Sequence, residues 1–493
     1  MQAFYTFIVE TAKQKKVSLQ ALAQHCHIGR TTLYRIMKGE SRLTEDIEKG
    51  IVSFLRLTDA EVSRMATCLV GREGVADTDY LRAFSILDDL VYPQSGHPAT
   101  HATANFATYA RGEKYLRSFA EVCQDLGQAL QAASGNIEVY IQEAADDAVF
   151  GMLEKLLSLV MQTGQPADIL HFVNFPAQQP AHCAMTFKNC FQLMRHAGYQ
   201  VYYHSHEPAL QAYQLLGDCL LLSFQTAAGQ QQYMISLARD DLSTCLHLDN
   251  GGSYNFFLSA FLRIKRSCQS ADLRQLDLKD LNQEIAQMEG KAPYALLQNG
   301  ICPNLIPPAV QQKTMDALSV EEKIAIIYQF SGLEAQPYEV EQYAAHILNE
   351  MEKRYQLGFR RKHYNIFSRE GITQFAKKGS AAAFAPGVTY DIKQRRDTLQ
   401  SLIRRLDDAN DPVEVFISER SFVGGLSILA SRGNGVQVDF THLLRPDGQF
   451  NIMLRNPMIA SLFFRYFSEY LPFKHLYSRE KTKRFLQGLL DSF

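Results

Sequence analysis

Between Val17 and Gly39 the chain runs VSLQALAQHCHIGRTTLYRIMKG. Leu19, Leu22 and Ala23 recur at helical spacing before a turn formed by His25, Cys26, His27, Ile28 and Gly29, and Leu33 and Ile36 recur after it. With those positions turned inward, Arg30, Thr31, Thr32, Tyr34, Arg35 and Lys38 share the outward side of the second helix. Such side chains donate to phosphate oxygens and reach base edges, and a helix that presents them fits the DNA major groove. Lys13, Lys15, Lys16 and Arg42 add positive charge nearby, against Glu40 as the acid of that stretch. The expected chemistry is non-covalent attraction of double-stranded DNA to a local basic patch.

Other residue groups suggest less. His25, Cys26 and His27 are adjacent in a tight turn and cannot easily converge on one ion. In HSHEP, His204 and His206 fall on one side of a strand and Glu207 on the other, while Cys183 and Cys190 match no metal-ligand spacing; a surface strand end is expected. Arg360, Arg361, Lys362 and His363, with Arg369, Lys377 and Lys378 nearby, are expected to be a solvated surface. The aromatic series Phe463, Phe464, Tyr466, Phe467, Tyr470 and Phe473 is expected in a core or a dimer interface. The signatures GxSxG, HExxH, HxKxxxxD, GxGxxG and GxxxxGK[ST] are absent. No catalytic, cofactor-binding or metal-binding residues are therefore assigned, and the chain is not expected to be an enzyme.

The elements that must position the basic helix follow from local signals. Phe4, Phe7, Ile8 and Thr11 predict a first helix to about Gln14, and Ser18 is a natural cap for the second. Gly39 ends the third, Thr44 caps a fourth, and Thr58 with Glu61 predicts a fifth. This plan and the string LAxxxxIxRTTLYRIxxG resemble the lambda-repressor/Cro (XRE) class of helix-turn-helix domains over residues 3 to about 68. Leu19 stands where that class often has Gln, and His27 where a turn glycine is common. The resemblance implies base or nearby phosphate contacts from Arg30, Thr31, Thr32 and Arg35. It implies phosphate contacts from Gln20 and Lys38, and a thymine-methyl or sugar contact from Tyr34.

Length and composition set the frame. A chain of 493 residues is expected to hold several domains, and its 46% apolar and 21% charged residues suit a folded soluble protein. A formal net charge of -2 excludes a globally basic binder. No apolar run is long enough for a membrane helix, no signal peptide is recognisable, and nine scattered cysteines suit a reducing compartment, so a cytoplasmic location is expected.

The expected fold is multidomain: an all-α five-helix helix-turn-helix domain followed by a mixed α/β region with a helical connector. The expected parts are a DNA-binding domain at 1–69, a linker at 70–112, an α/β sensor domain at 113–268, a mostly helical connector or dimerisation segment at 269–357 and an α/β domain at 358–493. The segments 113–268 and 358–493 could be related halves, without a repeat strong enough to claim. The expected function is a transcriptional regulator that binds specific DNA as a homodimer and senses a small-molecule or peptide effector. The alternatives are an enzyme or metal-dependent sensor fused to a DNA-targeting domain, and a protein-interaction scaffold.

Overall fold

Four helices open the chain: α1 (Gln2–Gln14), α2 (Leu19–His25), α3 (Arg30–Lys38) and α4 (Glu45–Leu55). They enclose Phe7, Ile8, Leu22, Ala23, Leu33, Ile36, Met37, Ile51 and Leu55, all nearly or fully buried. The computed structural model that shows them describes residues 2–15, 17–38, 45–57, 61, 77–92, 116–144, 147–176, 179–194, 198–204, 216–237, 242–248, 251–271, 287–288, 293–331, 335–357, 362–379, 389–408, 410–423, 425–441 and 449–493. The expected fifth helix lies outside these residues except for Glu61.

The expectation of a separate all-α domain, followed by a mixed region with a helical connector, is overturned. Two mixed sheets, of eight and six strands, organise the chain. It forms two compact units, one of Met1–Tyr92, Leu276–Val438 and Ala460–Phe493, the other of Pro93–Gln275 and Asp439–Ile459. The N-terminal helices thus share a unit with most of the second sheet, and Phe473, far along the chain, packs against their core. The physical reason is size: so short a segment leaves too much of its apolar surface uncovered and gains by borrowing a ring. Helix α5 (Asp77–Val91) belongs to the same unit; its Phe84 meets Tyr466 and Tyr470, and its Asp88 accepts from the Tyr466 hydroxyl at 2.9 Å.

The first sheet contains β1 (Leu116–Ser118), β2 (Ala133–Gln142), β3 (Ala167–Val173), β4 (Tyr199–Tyr203), β5 (Cys219–Thr226), β6 (Gly229–Ser236), β7 (Leu242–His247) and β8 (Gln269–Ser270). Helix α6 (Phe119–Gln131) precedes β2, while α7 (Asp147–Gln162) and α8 (Pro180–Leu193) connect its parallel strands and α9 (Gly251–Ser267) follows β7. The order is β1-β7-β6-β5-β2-β3-β4-β8, with β2, β3 and β4 parallel and β5 antiparallel to β2.

The second sheet contains β9 (Tyr294–Gln298), β10 (His363–Ser368), β11 (Val413–Ser418), β12 (Leu426–Ser431), β13 (Gly435–Thr441) and β14 (Gln449–Leu454). Helices α10 (Pro308–Ala317), α11 (Val320–Ser331) and α12 (Val340–Leu357) lie between β9 and β10, and α13 (Arg369–Lys378) and α14 (Ile392–Asp407) between β10 and β11. After β14 come α15 (Pro457–Arg465), a π-helical turn Tyr466–Tyr470, α16 (Leu471–Lys474) and α17 (Arg479–Leu490). The segment 269–357, expected as a helical connector, therefore carries β9, which lies inside this sheet.

The second sheet's order is β11-β10-β9-β12-β13-β14, again with three parallel strands and a fourth antiparallel to the first of them. Strands β2 to β7 and β9 to β14 therefore follow one plan, and the chain contains a duplicated topology. The register matches as well: Gln142 pairs with Phe172 in one sheet and Gln298 with Phe367 in the other, and both glutamines are buried.

Candidate nucleic-acid interface

The Ser18 hydroxyl accepts from the Ala21 backbone N–H at 3.1 Å and caps α2, which then buries Leu22 and Ala23. The turn passes through His27 at φ +53°, a left-handed backbone that costs a side-chain-bearing residue about 1–2 kcal/mol and explains the usual glycine there. The Leu33 N–H bonds to the Gly29 carbonyl at 3.0 Å and starts α3. Gly50 in α4 lets that helix approach the end of α2; a Cβ there would stand 2.9 Å from Cys26 Sγ.

Leu33, Ile36 and Met37 bury one side of α3. Arg30, Thr31, Thr32 and Arg35 are exposed on the other, and Tyr34 is half-buried. The Arg30 guanidinium sits 5.6 Å from the Tyr34 ring centroid, and Tyr34 contacts Tyr5 at 6.4 Å, so α1 steadies the outer ring. Gln20 is exposed in the first turn of α2, and Lys38 closes α3. The helix RTTLYRIMK contains no acid, so every charge it carries is positive. Lys15 points elsewhere: its ammonium holds Glu61 at 2.8 Å and the Arg56 carbonyl at 3.0 Å. Lys16, Glu40 and Arg42 lie outside the described residues.

The other expected groups separate. His25 faces Ser53 at 3.2 Å, while Cys26 is buried against the Ile47 carbonyl. Cys183 points at the Pro176 carbonyl and Cys190 at His171. His206, Glu207, Arg360 and Arg361 lie outside the described residues. Lys362 covers Tyr364, and His363 is buried against Tyr294. The aromatics Phe463, Phe464, Tyr466 and Phe467 are buried, as a core requires.

Two arrangements were not anticipated from the sequence. His204 Nε2 lies 3.4 Å from Cys268 Sγ, a pairing that nucleophilic enzymes use. Burial pushes this thiol up to about 12 and holds His204 below the usual histidine range, so both stay neutral at pH 7 and no thiolate forms. Deeper in the first sheet, His171 is fully buried between the Tyr199 hydroxyl, 2.5 Å from Nδ1, and the Glu143 carbonyl at Nε2. The carbonyl can only accept, so Nε2 carries the proton and Tyr199 donates to Nδ1. Burial lowers His171 to about 4 and raises Cys190 beside it to about 12. Glu143 and Ala144, just past β2, both adopt positive φ, and this backbone is what His171 grips. The apolar run Ile169, Leu170, Phe172 and Val173 that flanks His171 was the signal available for its inward position. Among the described residues, no three His, Cys, Asp or Glu side chains form a group that could hold a metal, and no helix is long and apolar enough to cross a membrane.

No family model and no curated protein matches the chain. Among solved structures it is similar to the crystal structure of phosphatidylserine synthase from Haemophilus influenzae Rd KW20, at 9% identity and a TM-score of 0.21, covering 84% of this chain and 97% of that one. A likeness at that score assigns neither fold nor activity here.

Proposed function

We propose that the chain is a cytoplasmic transcriptional regulator of the XRE-like helix-turn-helix kind, binding specific double-stranded DNA as a homodimer. The observation that carries this reading is the outer side of α3, where Arg30, Thr31, Thr32 and Arg35 are exposed on a helix without acids. Arg30, Thr31, Thr32 and Arg35 contact bases or adjacent phosphates, Gln20 and Lys38 hold phosphates, and Tyr34 touches a sugar or a thymine methyl. One such helix buries too little surface for tight binding, which is why two copies act together.

The rest of the chain far exceeds what DNA contact requires, and in this reading it senses a small-molecule or peptide effector. This part of the reading is supported by α10 to α12, which have a core of their own that includes Ile326, Ile327, Val340 and Ile347, and by a groove of about 410 Å³ between α10 and α12, lined in part by Gln312, Asp316, Glu341 and Asn349.

The test is capture of genomic fragments by the purified protein beside Arg30→Ala with Arg35→Ala. Enrichment of sites with inverted symmetry, falling by about 100-fold or more in the double variant, is expected, since each base-reading contact contributes about 1–3 kcal/mol. Affinity should also fall steeply with salt. Site-specific binding that survives the double substitution would overturn the assignment of α3.

A further inference from the structure

Helix α9 packs Tyr254, Phe261 and Ile264 onto the face of the first sheet that includes Tyr140, Leu170, Phe172 and Tyr202. Its outer side presents Asn255, Phe256, Ser259, Leu262, Arg263 and Arg266, all exposed, with Phe256 at 70% and Leu262 at 39%. Of the five large hydrophobic side chains exposed among the described residues, two, Phe256 and Leu262, lie on this one side of α9. Asn255, Ser259, Leu262 and Arg266 follow one another by four, three and four residues, the spacing of a helix–helix seam, and the small Ser259 lies at its middle.

The charges identify the occupant. The C-terminal part of α9 carries Arg263, Lys265 and Arg266. Its N-terminal part, at Tyr254, lies beside Glu138 of β2. Glu138 is exposed and pairs across the strands with exposed Asp168 of β3. Asn136 donates to the Asp168 carboxylate at 2.8 Å but brings no charge, so the two carboxylates still repel and a cation from outside would relieve them. One end of the α9 surface is therefore acidic and the other basic, with apolar side chains between, and such a surface complements itself after a half-turn.

We infer that α9 is the self-association surface of this chain. Two copies lay their α9 helices antiparallel about a two-fold axis near Ser259. Phe256 of each packs on Leu262 of the other, and Arg263 and Arg266 of each reach Glu138 and Asp168 of the other. This assignment rests on the dimeric part of the regulator proposed above and gives that dimer its interface.

The test is light scattering of the full chain over a concentration series, with circular dichroism to verify folding. The wild type should be a dimer. Phe256→Asp, at an exposed position, should weaken dimerisation by about tenfold or more. Arg263→Glu with Arg266→Glu should weaken it similarly, and adding Glu138→Lys with Asp168→Lys should restore it. A Phe256→Asp protein that dimerises as the wild type does, or a charge exchange that restores nothing, overturns the surface but leaves the dimeric regulator standing. A wild type that stays monomeric overturns both. DNA binding, read with the Arg30 and Arg35 variant, reports on the recognition helix separately.

Discussion

The two sheets share a strand plan and fill it differently. In the first, β2 and β3 are joined by the single helix α7, whereas in the second β9 and β10 are joined by α10, α11 and α12. Aligning the Gln142–Phe172 pair with Gln298–Phe367 sets Leu170 opposite Asn365 and His171 opposite Ile366. Leu170 takes part in an apolar cluster, while Asn365 is fully buried and its amide has no hydrogen-bond partner among the described residues. His171 serves a polar chain that ends on a left-handed backbone, and Ile366 is a core residue. The difference teaches that topology fixes where strands lie and leaves their interiors free to specialise. The unit that holds most of the second sheet carries the N-terminal helices and the three-helix insertion, and the first sheet carries a sealed histidine network.

The sharpest way to break this contrast is to make the first sheet resemble the second at position 171. His171→Leu removes the acceptor for the Tyr199 hydroxyl and the donor for the Glu143 carbonyl, both buried, and should cost about 3 kcal/mol in denaturant unfolding. The wild type should also lose stability as pH falls. The folded His171 titrates at about 4, below the 6.5 of the unfolded chain, so between those values the unfolded state binds the extra proton. That contribution is intact above pH 6.5, is lost progressively towards pH 4, and amounts to about 3 kcal/mol. In His171→Leu this part of the pH dependence should vanish; an unchanged profile would show that another group carries it.

A smaller effect tests what the second-sheet unit contributes to the N-terminal helices. Phe473→Ala should destabilise α1 to α4 by about 1–2 kcal/mol, read as faster amide exchange in residues 2–55 with the first sheet unaffected. Equal acceleration throughout would mean that Phe473 acts on the whole fold. The smallest effect has the opposite sign. Asn365→Leu should stabilise the protein by about 1 kcal/mol, because it substitutes an apolar side chain of similar size for a buried amide without a partner among the described residues. A loss of stability would show that the amide holds a group essential to the second sheet.

Local structure was legible where the signal was local. Ser18 as a cap and Leu22, Leu33 and Ile36 as core all followed from period and capping chemistry. The sequence concealed what depends on distant pairing. Strand β9, YALLQ, is buried at all five positions, so it shows no alternation and reads as part of a helical stretch. The duplication is faint in the sequence, because few positions of the matched strands keep their residue, Gln142 with Gln298 and Phe172 with Phe367 among them. Phe473 resembled any other core aromatic, and nothing near it in sequence pointed to helices more than 400 residues earlier. In the basic patch, charge counting could not foresee that Lys15 is held by Glu61.

The Phe473 contact also has a practical consequence for anyone who would cut this protein apart. A fragment ending at residue 69 keeps every residue assigned to DNA and lacks the ring that finishes their support. Such a cassette, transplanted onto a foreign partner, would need a substitute for that ring, or its reading helix would sit on a scaffold with a missing corner.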